Sequence, residues 1–262
     1  MSQDFIEAYY GDSGNSSYSG VSYDKDYFQV YLTSRVKDWY ADTEGSDELL
    51  EEFQSVASTG FESKFLQETF QHQVDLDCWR IGEAIGECYL QDRQDIRIHY
   101  HNSRDAKNPK SSLPGADIVG FAEEEGETVF VFGEIKTSSD ATIPPGVFYG
   151  PTGLKNQLED LKMKLETRST LVKWLGFKVS KLDENHKFRI DYKSALKTWL
   201  SSLGKRVRII GVLIRDIIPS EKDLLARFND LVKEIDSKMR LDLFAIYLPL
   251  GITSLKASMS GG

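Results

Sequence analysis

The clearest alternation of apolar and polar positions lies in the middle of the chain. DIVGF (117–121) and TVFVFGEIKT (128–137) are two apolar runs separated by a Glu/Gly-rich turn, and the spacing predicts an antiparallel hairpin. With Glu125-Gly126 as a two-residue turn, cross-strand partners sum to 251, and Asp117 falls opposite Glu134. Helical periodicity follows Ile81, Ala84, Ile85 and Cys88, predicting a helix from Asp77 to about Gln91, and helices are also expected over 47–57, 61–72 and 154–166. YFQVYLT (27–33) and IRIHY (96–100) read as strands. Residues 11–26, rich in Gly, Ser and Asp, read as a flexible segment or long loop. Toward the end, RVRIIGVLIR (206–215) and LDLFAIYL (241–248) read as buried strands. Between them runs a helix capped by Ser220 with Asp223 completing a capping box, a right-handed parallel crossover. The expected class is α/β, divided into an acidic, partly helical extension (1–75) and a domain over 76–262.

Composition narrows the class. Apolar content of 40% and charged content of 28% over 262 residues suit a globular domain, and no run approaches the roughly 20 apolar residues of a membrane helix. The acidic start MSQDFIEAYYGDSG has the character of neither a secretory signal nor a transit peptide, and Cys78 and Cys88 fit reduced thiols, so the expected location is the cytoplasm. The net charge of −9 is uneven: residues 1–92 carry 19 acids against 5 Lys/Arg, leaving +5 for the remainder. An acidic first third suits a protein partner better than nucleic acid. Residues 153–181 carry +4, through Lys155, Lys162, Lys164, Arg168, Lys173, Lys178 and Lys181, and read as a phosphate-tracking surface or, more plainly, a mixed-charge helix face.

The chemistry lies in the hairpin. Directly opposed side chains have Cβ atoms about 4.5–5.5 Å apart, where like charges repel. Side chains alternate along a strand, so Lys136 shares the face of Glu134 while Ile135 points away. Two carboxylates and an ammonium gathered there call for a cation with oxygen ligands, for which Mg²⁺ is the natural candidate. The plain alternative is a solvated face with an exposed ion pair. His99 and His101 share i, i+2 spacing but have no evident third ligand, and neither cysteine has a nucleophilic partner in view.

These residues resemble the PD-(D/E)xK nuclease superfamily: an acid on one strand, here in Gly115-Ala116-Asp117, and Glu134-Ile135-Lys136 on the next. The chain departs from the nominal pattern in that Ala116 fills the proline slot, with Pro114 three residues before the acid. RIGEAIGECYL (80–90) is similar to the family's first helix and nominates Glu83, although Glu87 shares its face and Glu83 could simply pair with Arg80. Gln157 in LKNQLEDL resembles a helix-borne Gln beside the phosphate, and Lys155 is a second candidate for substrate contact. The resemblance implies a restriction-endonuclease-like core with a mixed sheet flanked by helices. It implies Mg²⁺, or Mn²⁺ in its place, held by Asp117, Glu134, the Ile135 carbonyl and Glu83, with Lys136 orienting the attacking water. The layout as a whole looks like the HamA nuclease subunits of Hachiman anti-phage defence, which implies DNA as substrate and a superfamily 2 helicase (HamB-like) as partner, with no membrane role. A binding or regulatory subunit of the same fold and a stand-alone repair or resolvase-type nuclease are the alternatives.

Overall fold

A computed structural model describes residues 4–70, 76–105 and 115–260. Six strands form one mixed sheet in the order β1-β2-β6-β5-β4-β3. β1 (Phe5–Ser13) and β2 (Ser16–Tyr23) are an antiparallel hairpin, and β2 runs parallel to β6 (Arg240–Tyr247). β6, β5 (Val207–Arg215) and β4 (Glu127–Ser138) are mutually parallel, and β3 (Ile118–Glu124) returns antiparallel to β4.

Helices cover both faces. On one lie α1 (Lys25–Tyr31), a π-helical turn (Leu32–Val36), α2 (Lys37–Tyr40), α5 (Cys78–Arg93) and α10 (Leu255–Ser260), over a layer that includes Ile118, Val131, Ile135, Val212 and Phe244. On the other lie α6 (Leu154–Met163), α7 (Leu165–Val179), α8 (Lys187–Ser201) and α9 (Leu225–Leu231), over Phe121, Phe130, Phe132, Ile209 and Leu243. β5 is buried along its whole length, as expected of a central parallel strand. The remaining pair, α3 (Thr43–Val56) and α4 (Gly60–Phe70), contains no buried residue among those described. Among the described residues no helix is long and apolar enough to cross a membrane.

Several expectations are corrected. Residues 11–26 are mostly strand, because tyrosines cover two of their three glycines: a Cβ on Gly20 would lie 2.3 Å from the ring of Tyr9, its register partner, and one on Gly11 would lie 2.4 Å from Tyr18, while Gly14 supplies the positive φ of the turn between the strands. Ser17 also ties this segment to β6, its N–H and hydroxyl donating to Asp242 at 3.1 and 2.7 Å. Residues 27–33 are helical rather than extended. Asp24 accepts from the Asp26 and Tyr27 N–H groups, and Phe28, Tyr31, Leu32 and Val36 form a buried stripe of helical spacing. IRIHY contributes a single bridge, Arg97 to Phe121, since Arg97 and His99 are both drawn to Asp191 on α8 at 2.7 Å.

The Ser220 capping box does not form. Asp223 is fully buried, accepting from the Tyr247 hydroxyl at 2.9 Å and pairing with Arg215 at 3.5 Å, so a 3₁₀ turn (Glu221–Asp223) precedes the shorter α9. The helix expected over 154–166 stops at Met163, and α7 and α8 fill a stretch for which the periodicity reading made no assignment. Pro109 and Pro114 lie outside the described residues.

Candidate active site

The β3–β4 turn takes positive φ at both central residues, 51° at Glu125 and 78° at Gly126, the requirement of a type I′ turn. The register follows from it. Ile118 pairs with Gly133 and Glu124 with Glu127, so Asp117, one residue before the ladder, stands opposite Glu134 as the spacing predicts. Side-chain alternation along β4 then places Glu134 and Lys136 on the face covered by α6–α8, continuing the row of Phe130 and Phe132, and the Asp117 carboxylate reaches them from beyond the end of β3.

Glu134 is only 3% exposed, at the edge of that aromatic layer. Lys136 Nζ lies 3.3 Å from Glu134 Oε2 and 4.0 Å from Asp117 Oδ2. Asp117 Oδ2 also accepts the Ile135 N–H at 2.9 Å. A residue's N–H and C=O point to the same side of its strand, so the Ile135 carbonyl is directed past the open end of β3, beyond the last ladder pair. Burial first, and the neighbouring Asp117 second, push the Glu134 carboxyl up to about 9, with Lys136 opposing the shift. The cause is a carboxyl taken out of water beside a second carboxyl group, which disfavours its charged form.

Helix α5 approaches from the other face. It comes close because Gly82 and Gly86, four residues apart, present no side chain to β4. A Cβ on Gly82 would lie 2.0 Å from Thr137 Oγ1, and one on Gly86 would lie 2.9 Å from Ile135 Cδ1. The next residue in each case is a glutamate. Burial, then Asp117 and Glu87, push Glu83 up to about 8; Lys136 acts against this. Burial also raises Glu87, to about 7, and that carboxylate is engaged by the Trp39 indole N–H at 2.6 Å. Both acids feel Asp117, and Lys136 opposes the shift of Glu83, while Glu87 is held by Trp39 of α2.

Gln157 sits on α6 one residue before Leu158, whose methyl would meet a Cβ on Gly211 at 2.6 Å, and Gly211 is the register partner of Glu134. The buried Gln157 Oε1 has no hydrogen-bond partner. Lys155 is turned elsewhere, 3.6 Å from both Glu159 and Asp230. His99 and His101 do not form a joint site: His99 binds Asp191 at 2.7 Å and His101 binds Ser103 at 2.6 Å. Of the two cysteines, Cys88 is buried and Cys78 half-buried, and burial pushes the Cys88 thiol up.

Two contributors escaped the sequence reading. Asn102 Nδ2 donates to the Asp117 carbonyl at 3.0 Å and fixes the entry to β3, and Trp39 holds Glu87. Neither partnership has a local signal, since the residues lie 15 and 48 positions apart. The Gly82-x-x-x-Gly86 spacing is a signal that could have marked the face of α5 meeting the sheet.

Among the described residues, no three His, Cys, Asp or Glu side chains are gathered in an arrangement that could hold a metal ion. The donors brought together are two carboxylates and a directed backbone carbonyl. That set fits Mg²⁺, which keeps several waters and takes one or two carboxylates, better than a closed protein cage. No protein-family model matches the chain, and no curated protein matches it.

Proposed function

We propose that the chain is a Mg²⁺-dependent DNA nuclease of the PD-(D/E)xK type built on a restriction-endonuclease-like core, acting as the effector subunit of an anti-phage complex with a helicase partner. The observation that carries this reading is the buried Glu134, facing Asp117 in register with Lys136 3.3 Å away. Two acids forced together at the edge of an aromatic layer carry a cost in stability that apolar residues at those positions would not.

Asp117, Glu134 and the Ile135 carbonyl would hold Mg²⁺, or Mn²⁺ in its place. Bound there, the ion supplies polarisation of a phosphoryl oxygen and a lowered pKa for its water. Lys136 would hold the attacking water by its ammonium and meet charge developing on the phosphate. Gln157, with Oε1 unpartnered, would accept from a substrate-bound water or turn its amide N–H to the phosphate. Glu83 would anchor a further water beside Asp117.

The basic run offers little free surface for DNA. Lys155 pairs with Glu159 and Asp230, Lys162 donates to the Leu231 and Lys233 carbonyls, Lys164 pairs with Asp160, Lys178 pairs with Asp105, and Arg168 is buried. This supports an enzyme delivered to DNA by a partner rather than one that grips DNA alone.

The deciding experiment is plasmid nicking with Mg²⁺ or Mn²⁺ by the parent, Glu134→Ala and Lys136→Ala, with DNA binding followed in parallel. Cutting by the parent that both substitutions abolish while binding persists supports the nuclease. Cutting that survives both, or that ignores EDTA, removes this site from the chemistry.

A further inference from the structure

The α3–α4 hairpin stands apart from the chemistry. Leu49, Leu50, Phe53 and Val56 lie on α3 at helical spacing, yet no described residue of either helix is buried. Val56 is 76% exposed, Phe61 82% and Phe65 57%. Between the helices lies a groove of about 350 Å³ lined by Phe53, Val56, Ala57, Glu62, Phe65 and Leu66.

The groove is held in shape by local bonds. Glu62 accepts from the Ser58 and Thr59 N–H groups at 2.7 and 2.9 Å, and Thr59 Oγ1 accepts from the Glu62 N–H at 3.2 Å, a capping box that starts α4. At the base of α3, Arg104 grips Asp42 through two bonds of 2.6 and 2.7 Å. The surrounding surface is acidic: residues 43–70 contain seven acids against the single Lys64.

We propose that this hairpin is a docking surface for a protein partner's amphipathic helix with an apolar stripe and a Lys/Arg-rich polar face. An apolar groove takes the stripe of a helix, and an acidic rim selects the charge of its flanks. The same rim disfavours the competing occupants. A second copy would oppose two hairpins of like charge, and DNA or an anionic membrane would be repelled. The inference does not depend on the nuclease reading, because no residue of the hairpin belongs to the candidate active site.

The test uses the full chain in metal-free buffer and a fluorescein-labelled peptide of about 18 residues, five helical turns, with leucines on one face and lysines on the other. Two controls keep its composition scrambled or replace every lysine by glutamate. Fluorescence anisotropy is expected to show binding of the lysine-faced peptide, weakened about tenfold or more by the controls and by Phe65→Ser or Val56→Ser, both exposed positions. Circular dichroism verifies the fold, and Leu66→Ser, a further groove position, replaces any variant that loses it. Equal binding of the scrambled peptide would reduce the effect to charge, and equal binding of the glutamate-faced peptide would reduce it to apolar contact. Either result overturns the proposal, as does binding indifferent to the serine substitutions, no binding at all, or a concentration-dependent dimer that Phe65→Ser dissolves.

Discussion

Replacing Glu134 by glutamine is expected to make the metal-free protein more stable while ending its proposed activity. The carboxyl is pushed from 4.5 to about 9, chiefly by burial and then by Asp117. A carboxyl whose folded pKa is raised contributes most favourably below its unfolded pKa, and the folded state loses stability as pH rises from there through the folded pKa. Each pH unit in that window costs about 1.4 kcal/mol, so by about pH 7 the cost is about 3 kcal/mol. Glutamine keeps the shape and never ionises, and its amide N–H can donate toward Asp117. Glu134→Gln should therefore raise Tm at neutral pH in EDTA by about 6–12 °C for a chain of this size, and flatten the pH dependence from about pH 5 to 9. Mg²⁺ should stabilise the parent and not the variant. Scanning calorimetry across pH, with EDTA and with Mg²⁺, is the assay. A variant equal to or less stable than the parent at about pH 8, with an unchanged pH profile, would refute the claim that this carboxyl is held against its electrostatic preference.

Three further outcomes follow from the geometry. Lys136→Met removes the ammonium that opposes the upward shift of Glu134, so the Glu134 titration, read by carboxyl NMR, should move higher still, and any nicking activity should fall about 100-fold or more. Trp39→Phe deletes the 2.6 Å bond that stabilises ionised Glu87, and that residue should then titrate above its present value of about 7; no change would mean the bond is unimportant in solution. Gly133→Ala would set a Cβ 2.1 Å from the Ile210 carbonyl oxygen, a backbone atom on the adjoining strand, and should cost about 3 kcal/mol in urea denaturation.

The hairpin and its charged trio were legible in the sequence because each is local. A Glu-Gly turn sets the register and alternation along β4 sets the face, so Asp117 is carried toward Glu134 by the hairpin itself, with Asn102 fixing the entry to β3. The stripe on α5 and the apolar runs of β5 and β6 were equally plain, since a buried strand or helix face writes its period into its own residues. Residues 11–26 were not legible. Their glycines and serines mark a loop until tyrosine rings on the partner strands cover Gly11 and Gly20 and Asp242, more than 200 positions away, binds Ser17. Asp223 likewise fits a capping position by sequence, yet the fold turns it inward to Arg215 and Tyr247. Tertiary packing alone decided how deeply Glu134 is buried, that Trp39 engages Glu87, and that Lys155 pairs with Asp230 of α9. Periodicity reports which side of an element is apolar; desolvation and charge partnership depend on what the rest of the chain places against that side.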